Sequence, residues 1–273
     1  MNDYSRVLES TEQHLQALKA DGVRFLVIQT ETLRELQEAP PAPRREISLA
    51  LPTEPALKNE TRPVTVEDTE AAMGALKERA LACLKCPHLV QSRKNVVFGV
   101  GDIHSPLMFV GEAPGADEDR QGEPFVGAAG QLLTRIIKTM GFSRESVYIA
   151  NILKCRPDTP GQSSGNRKPT QDEMKTCLPY LLAQIDLIRP KVLVALGATA
   201  VEGLLGKTDG IGKLRGNFQI FRDIPLMPTF HPSYLLRNQA LTEKRKVWED
   251  MLQVLVALGK TPSEKQKGYF LKA

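Results

Sequence analysis

Residues 191–196 read Lys-Val-Leu-Val-Ala-Leu, and this short run decides the fold class. Its five consecutive apolar residues, without polar alternation, predict a strand covered on both faces, as in the interior of a parallel sheet. Segments of similar strand character occur at 107–110, 147–152, 218–221 and 226–230. Helical patterns alternate with these strands, at 130–140, 170–188, 198–205 and 243–258. This alternation predicts an α/β protein with a doubly wound sheet and a mostly parallel core.

The loops after the parallel strands are the expected place for a functional site. In an open α/β sheet, ligands bind beyond the carboxyl ends of the strands. We therefore expect the site in the loops that follow Val110, Ile152, Leu196 and Phe230. The longest predicted helix also has a clear start, because Thr170 and Glu173 have the spacing of a capping box.

Charge divides the chain into an acidic first part and a basic remainder. Residues 1–70 hold eight Lys or Arg and thirteen Asp or Glu, whereas the whole chain carries a net charge of +4. A basic domain suits a polyanion such as DNA, although a solvated basic surface without such a partner explains the charge equally well.

The first 70 residues differ in composition from the rest. Segments 4–20 and 30–37 have helical character and 23–28 has strand character, which predicts a small leader over 1–38. Six prolines between positions 40 and 63 predict a flexible linker, assigned to 39–70. The main domain is predicted over 71–260, followed by a tail over 261–273. The sequence has no secretory signal and no apolar run long enough to span a bilayer, so we expect a cytoplasmic monomer with no membrane partner.

Four cysteines form a candidate metal site. Cys83 and Cys86 form a C-x2-C pair; 68 residues separate Cys86 from Cys155, and 21 separate Cys155 from Cys177. Four thiolates suit either a tetrahedral zinc ion or a four-iron cluster. Buried structural cysteines are the alternative, and disulfides are disfavoured in a reducing compartment.

Four motifs follow the predicted strands or lie between them. Gly111-Glu-Ala-Pro-Gly115 is a loop whose backbone can approach a ligand, or an ordinary strand-to-helix turn. Phe125, within Gly122-Glu-Pro-Phe-Val-Gly127, can stack on a planar ligand or simply pack. Asn151 offers an amide donor and acceptor that match a pyrimidine edge, or forms a turn. His231 stands at a strand end and begins His-Pro-Ser-Tyr-Leu-Leu-Arg237, which suits a loop that wedges into DNA and grips phosphate.

Taken in order, these motifs resemble the family 4 uracil-DNA glycosylases, which carry a four-iron, four-sulfur cluster. The matching text is GEAPG at 111–115, GEPFVG at 122–127, YIANILKCRP at 148–157 and HPSYLLRN at 231–238. The resemblance runs from about Cys83 to Leu258 and implies a three-layer fold with a four-stranded core. It also implies that all four cysteines bind a structural [4Fe-4S] cluster that takes no part in bond cleavage.

The resemblance further implies a role for each motif residue in excising a flipped uracil. Phe125 would stack on the base, Asn151 would read its pyrimidine edge, and His231 would stabilise negative charge on the uracil oxygen. Glu112 would position the attacking water or stabilise the cationic sugar. The remaining implied site residues are pocket-lining Ala113 and Gly115, Glu118 against a thymine methyl group, and Ser233, Leu235, Leu236 and Arg237 on DNA.

These features predict a monofunctional uracil-DNA glycosylase that acts on single- or double-stranded DNA and leaves an abasic site. The leader would be a docking arm for a repair or replication partner, or a passive tail. Two alternatives compete with this hypothesis: a non-catalytic iron–sulfur module that senses DNA damage, and a zinc-stapled α/β protein that binds another nucleobase.

Overall fold

A computed structural model describes residues 66–158 and 166–271, and six strands lie within these ranges. They are β1 (Val100–Gly101), β2 (Leu107–Gly111), β3 (Tyr148–Asn151), β4 (Val192–Leu196), β5 (Gln219–Phe221) and β6 (Ile224–Thr229). The predicted leader at 1–38 and most of the predicted linker lie outside the described residues.

The strands form one mixed sheet in the order β1-β3-β2-β4-β6-β5. The four central strands are parallel, whereas β1 and β5 pair antiparallel at the two edges. The run at 191–196 supplies β4, which lies between β2 and β6 and is buried along its whole length. The predicted doubly wound sheet with a four-stranded parallel core is confirmed.

Ten α-helices occur within the described ranges. They are α1 (Val66–Leu81), α2 (Pro87–Ser92), α3 (Ala116–Gln121), α4 (Ala128–Thr139), α5 (Gln171–Ile188), α6 (Ala198–Leu205), α7 (Ile211–Leu214), α8 (Pro232–Arg237), α9 (Leu241–Ala257) and α10 (Glu264–Gly268). The capping box predicted for α5 is present, because the Thr170 hydroxyl accepts from the Glu173 amide and the Glu173 carboxylate accepts from the Thr170 amide. None of the described helices is both long and apolar enough to cross a membrane.

The structure moves two of the predicted boundaries. Helix α1 begins at Val66, inside the segment assigned to the linker, and its apolar residues Met73 and Leu76 are buried in the core. The segment assigned to the tail contains α10, which is attached to the sheet layers rather than free. The indole of Trp248 donates to the backbone carbonyl of Gln266 at 2.6 Å, and the side-chain amide of Gln266 donates to the Thr139 carbonyl at 2.8 Å.

Helices cover both faces of the sheet and give three layers. One face carries Met108, Val110 and Leu193 and packs against α1, α5 and α6. The other face carries Phe109 and Val194 and packs against α4 and α9. Alternate side chains of the same strand thus enter two separate cores, which explains why β2 and β4 are apolar at every position.

Candidate active site and cysteine cavity

A pocket of about 520 Å³ opens at the carboxyl edge of the parallel strands. Loops that follow β2, β3, β4 and β6 all contribute to it, as expected from the strand order. Nine of the residues singled out in the sequence line this pocket: Glu112, Ala113, Gly115, Glu118, Phe125, Asn151, His231, Ser233 and Arg237.

Asn151 presents an unpaired polar atom in the pocket. Its side chain is 2% exposed, and its Oδ1 is buried without a hydrogen-bond partner within the described part of the chain. A buried acceptor without a partner is costly unless a ligand satisfies it. Gly111 lies beside Asn151 in register, and a Cβ added there would stand 2.4 Å from Oδ1 and 2.5 Å from Cζ of Phe125. Only glycine therefore leaves room for this pair of side chains.

The loop that carries Phe125 is held in an unusual conformation. Phe125 has a φ of 56°, which a bulky aromatic residue rarely adopts, and its ring is 6% exposed. Arg144 donates to the carbonyl oxygens of Phe125 at 3.0 Å and Pro124 at 2.8 Å. Gly130 lies directly under the Phe125 backbone, so a side chain at 130 would displace the loop. The surrounding structure thus imposes the placement of the Phe125 ring.

Glu118 fastens the first two motifs to each other. One carboxylate oxygen accepts from the amides of Val126 and Gly127, both at 3.0 Å, and the other accepts from the Gly115 amide at 3.1 Å. The resemblance implies that Glu118 crowds a thymine methyl group. The geometry adds that this carboxylate orders the loops on either side of it.

His231 is arranged as a neutral hydrogen-bond donor. The backbone amide of Ser233 donates to its Nδ1 at 3.2 Å, so Nδ1 is an acceptor and the proton of the neutral ring is assigned to Nε2. Burial and, to a smaller extent, the charge of the nearby Arg237 lower the pKa of His231 to about 4, which keeps the ring uncharged at neutral pH. The ring centroids of His231 and Phe125 are 5.7 Å apart, and both residues line the same pocket.

The segment after His231 is a helix, and the prediction of a loop there was wrong. His231 serves as the N-cap of α8, whose first residue is Pro232. Pro at the first helical position is favourable, which explains why the proline does not prevent a helix. Of the two leucines expected on DNA, Leu235 is 5% exposed and buried in the structure, whereas Leu236 is 37% exposed. Leu236 is thus the leucine available to a partner.

The pocket also contains residues that lie outside the four motifs. Asn166 and Arg167 line it, and an isolated antiparallel bridge between Asp158 and Asn166 places them there. Lys154 is fully buried next to it and donates to the Asn151 carbonyl at 3.0 Å and the Gln184 side chain at 2.6 Å. Burial lowers the pKa of Lys154 to about 7. In the sequence, a lysine among apolar residues just after a buried strand was a signal that Lys154 is buried and hydrogen-bonded inside the protein.

The four cysteines converge on one small cavity. Cys83, Cys86, Cys155 and Cys177 line it together with apolar Leu89 and Leu153, and none forms a disulfide. The Arg93 guanidinium donates to the sulfur of Cys155 at 3.0 Å, and the Lys154 amide donates to the sulfur of Cys177 at 3.2 Å. The fold therefore brings the pair Cys83 and Cys86 together with Cys155 and Cys177, which lie far from that pair in the sequence.

The electrostatics of this cavity suit a positively charged group. Burial raises the pKa of Cys177 to about 11, and burial followed by the charges of Cys155 and Cys83 raises that of Cys86. Four thiolates in one cavity repel each other, so a cationic group is needed to stabilise them. Within 66–158 and 166–271, no three Cys, His, Asp or Glu side chains are gathered closely enough to hold a single metal ion.

The fold and the site define a class: a doubly wound α/β protein with a pocket at the carboxyl edge of its parallel strands and a cavity lined by four cysteines. Residues 98–252 match the family model of the uracil DNA glycosylase superfamily. The chain is 47% identical over 185 residues to a type-4 uracil-DNA glycosylase of Thermotoga maritima, a match that covers 67% of this chain and 92% of the relative. It is 41% identical over 205 residues to a type-4 uracil-DNA glycosylase of Sulfurisphaera tokodaii, covering 72% of this chain and 89% of the relative. The chain belongs to the uracil DNA glycosylase superfamily, and its relatives place it in the type-4 group.

Proposed function

We propose that this protein removes uracil from DNA by hydrolysing the N-glycosidic bond and leaves an abasic site. One observation carries the proposal beyond family membership: Asn151, Phe125 and His231 line a single pocket, with a buried acceptor of Asn151 left for a ligand. The pocket lies at the sheet edge where α/β proteins bind ligands. Nothing observed favours a non-catalytic damage-sensing module.

Recognition of the base rests on Asn151 and Phe125. The amide of Asn151 offers one acceptor and two donors, and uracil presents a donor N3–H next to an acceptor O4. The ring of Phe125 supplies a flat apolar surface for stacking. Because Asn151 is buried, a base that leaves its amide unsatisfied is disfavoured by the full cost of an unpaired polar group.

Stabilisation of the departing base is assigned to His231. As the glycosidic bond breaks, negative charge develops on the uracil oxygen. A neutral imidazole with its proton on Nε2 can donate a hydrogen bond to that oxygen as the charge develops. Ser233 fixes the ring through Nδ1, so we assign it a part in orienting His231 as well as in contacting DNA.

Water attack is assigned to the side of the pocket that carries Glu112. This residue follows β2 directly and lines the pocket, so its carboxylate can orient a water molecule or stabilise the cationic sugar. Ala113 and Gly115 supply backbone to the same wall.

The cysteine cavity is proposed to hold a [4Fe-4S] cluster. Support comes from the four converging sulfurs, the N–H···S hydrogen bonds and the type-4 relatives. When bound, the cluster supplies iron–thiolate bonds that tie the segment of Cys83 and Cys86 to Cys155 and to α5. Its role is structural, since the pocket residues carry the bond cleavage.

The test of the activity uses an end-labelled oligonucleotide with a single uracil, with thymine and hypoxanthine oligonucleotides as controls. We expect strand breakage at uracil only, and only after alkali treatment of the abasic site. Breakage without alkali would show a lyase instead of a monofunctional enzyme. No breakage, from folded protein that contains its cluster, would favour the DNA-binding module.

The cluster has its own test. Protein prepared without air should contain about four irons per chain and absorb at about 400 nm, as thiolate-bound iron does. Cys177→Ser should lower the iron content and the melting temperature, whereas Ser92→Ala, a neighbouring change outside the ligand set, should lower neither. A colourless protein with one zinc would contradict the cluster. The monomeric state, the cytoplasmic location and a partner of the leader stay predictions.

A further inference from the structure

Arg167 and Arg237 are the two arginines that line the pocket. They come from opposite sides of it. Arg237 ends α8 after β6, and Arg167 lies between β3 and α5, while β3 and β6 are the two outer strands of the four-stranded parallel core. Each nucleotide of a DNA strand is flanked by a phosphate on both sides, so a nucleotide bound in this pocket brings an anion towards each arginine.

The guanidinium of Arg167 is oriented before any DNA arrives. It forms a two-pronged ion pair with Glu173, with Nη1 at 2.8 Å from Oε2 and Nη2 next to Oε1. Glu173 is 3% exposed and also accepts from the Thr170 amide at 2.7 Å and lies 2.6 Å from Nε2 of His88. Burial alone would raise the pKa of Glu173, but hydrogen bonds from Arg167, Thr170 and His88 hold it at about 2.

The backbone of Arg167 is fixed as firmly as its side chain. Its amide donates to the Pro157 carbonyl at 3.1 Å, and the preceding residue forms the bridge to Asp158. Arg156 donates to the side chain of that preceding residue, Asn166, at 2.9 Å. The Arg167 side chain nevertheless stays 30% exposed, whereas its carboxylate partner is buried. Nη1 also donates to the Lys168 carbonyl at 3.2 Å. Because Arg167 is partly exposed and lines the pocket, the ion pair leaves part of its side chain accessible there.

A positively charged group in the pocket lining would favour the approach of a DNA backbone. Glu112 and Glu118 place two carboxyl groups in that lining, and a DNA backbone must approach them. Arg237 has no ion-pair partner within residues 66–158 and 166–271, so it is available to phosphate. A contact between Arg237 and one phosphate would hold the nucleotide on one side only.

We propose that Arg167 is a second phosphate-binding residue, oriented by Glu173, and that it holds the DNA backbone on the side of the flipped nucleotide opposite to Arg237. This inference rests on the proposed function, because it takes the pocket as the site of a flipped nucleotide. An arginine held by a carboxylate loses little side-chain entropy on binding, which favours a defined backbone position.

The test measures equilibrium binding to a single-stranded oligonucleotide that contains 2′-fluoro-2′-deoxyuridine, which resists hydrolysis, over a series of salt concentrations. Arg167→Gln should weaken binding about tenfold, as loss of a hydrogen bond to a charged group does. It should also reduce the slope of log K against log salt by about 0.7, the value for one phosphate contact on a single strand.

Arg222→Gln is the matched control. Arg222 also pairs with a carboxylate, that of Asp186, but lies in the turn between β5 and β6 at the opposite end of the sheet. It should leave both affinity and slope unchanged. An Arg167→Gln protein with the affinity and slope of the wild type would overturn the proposal and make Arg167 a purely structural residue.

A change on the DNA side keeps the proposal testable if Arg167→Gln does not fold. A methylphosphonate, which is uncharged, replaces the phosphate on either side of the fluorinated nucleotide. Wild-type protein should lose about tenfold in affinity for each of the two substitutions. Loss at one side only would overturn the proposal. These measurements need no catalysis, so a protein that binds but releases no uracil would fail the proposed function while still reporting on Arg167.

Discussion

At the scale of single residues, Asn151 gives the sharpest test of the proposed function, because its side chain is buried and tightly surrounded. Its Oδ1 has no partner among the described residues and its side chain is nearly inaccessible, so any change of its hydrogen-bonding groups is felt by the ligand. Asn151→Asp replaces a donor by an acceptor at almost constant volume. We expect uracil excision to slow about a hundredfold, because one buried hydrogen bond is exchanged for a repulsive contact.

The measurement for Asn151→Asp is single-turnover excision at saturating DNA, with the melting temperature as a check of folding. Affinity for uracil-free DNA should not change, since Asn151 lies inside the pocket. Wild-type excision by this variant would remove Asn151 from base recognition.

His231 gives a second prediction at this scale. His231→Ala removes the donor assigned to the departing base, and we expect the excision rate to fall about 10² to 10³-fold, the usual loss for one donor to a developing anion. Ser233→Ala leaves the ring in place and removes only the hydroxyl beside Nδ1, so its effect should be smaller. The two variants are compared by single-turnover kinetics. If His231→Ala matched the wild type, another group would stabilise the base.

The pH dependence of His231 follows from the direction of its pKa shift. The pKa is about 4 in the folded protein and 6.5 for an ordinary histidine, so between these values the unfolded chain binds a proton that the folded chain does not. This group therefore lowers the free energy of unfolding as the pH falls from 6.5 to 4. In the excision rate, we expect no acid limb at pH 6 to 7 from His231. A limb there that disappears in His231→Ala would contradict the neutral ring.

At the scale of elements, the end of β2 decides whether the pocket exists. Gly111→Ala would place a methyl group within 2.4 Å of Asn151 Oδ1 and 2.5 Å of the Phe125 ring. We expect excision to fall about a hundredfold, as for a displacement of about 1 Å in an active site, with a loss of about 1–3 kcal/mol in the free energy of unfolding from overpacking. Gly212→Ala is the control, because a Cβ there meets nothing within 4 Å. Equal kinetics in the two variants would mean that the pocket adapts.

The elements also show how far the sequence predicts this fold. The central strands and the helices α4, α5, α6 and α9 were predictable, because β4 and α5, for example, carry strong local signals: an unbroken apolar run and a capping box. The 16-residue helix α1 and the edge strand β1 were not predicted. Helices α2, α3 and α8 were not, since six residues are too few to reveal a helical period. Their starts are instead fixed by tertiary structure, as when Glu118 ties the beginning of α3 to the loop of Phe125.

The candidate site divides in the same way. The motif residues that end strands were predictable, because parallel strands bring their carboxyl ends to one edge. Arg167 and Asn166 were not, since they reach the pocket through the bridge from Asn166 to Asp158, for which the sequence has no local pattern. Which of Leu235 and Leu236 can reach DNA depends on which face of α8 is buried. The sequence analysis took this segment for a loop, so it could not distinguish a buried leucine from an exposed one.

At the scale of the whole molecule, charge and structure coincide. The acidic residues are concentrated in 1–70, whereas the family match, the pocket and the cysteine cavity all lie in the basic remainder. The part that carries the chemistry is therefore also the part that attracts DNA. This division predicts that the leader can be removed without loss of excision on short DNA, provided that the truncation leaves every core element in place.

The position of the cut is critical because α1 belongs to the core. Met73, Leu76 and Ala80 of α1 are buried in the same cluster as the apolar residues of α5. A chain of residues 66–273 should excise uracil from a short oligonucleotide within about twofold of the full chain, the scatter expected for changes remote from a site. A chain that begins at Ala82 should be destabilised by several kcal/mol, because losing each large buried side chain costs about 2–5 kcal/mol. Excision and thermal unfolding of both chains, each with its cluster, are compared with the full protein. Loss of excision in the longer of the two truncated chains would show that residues before Val66 belong to the catalytic unit.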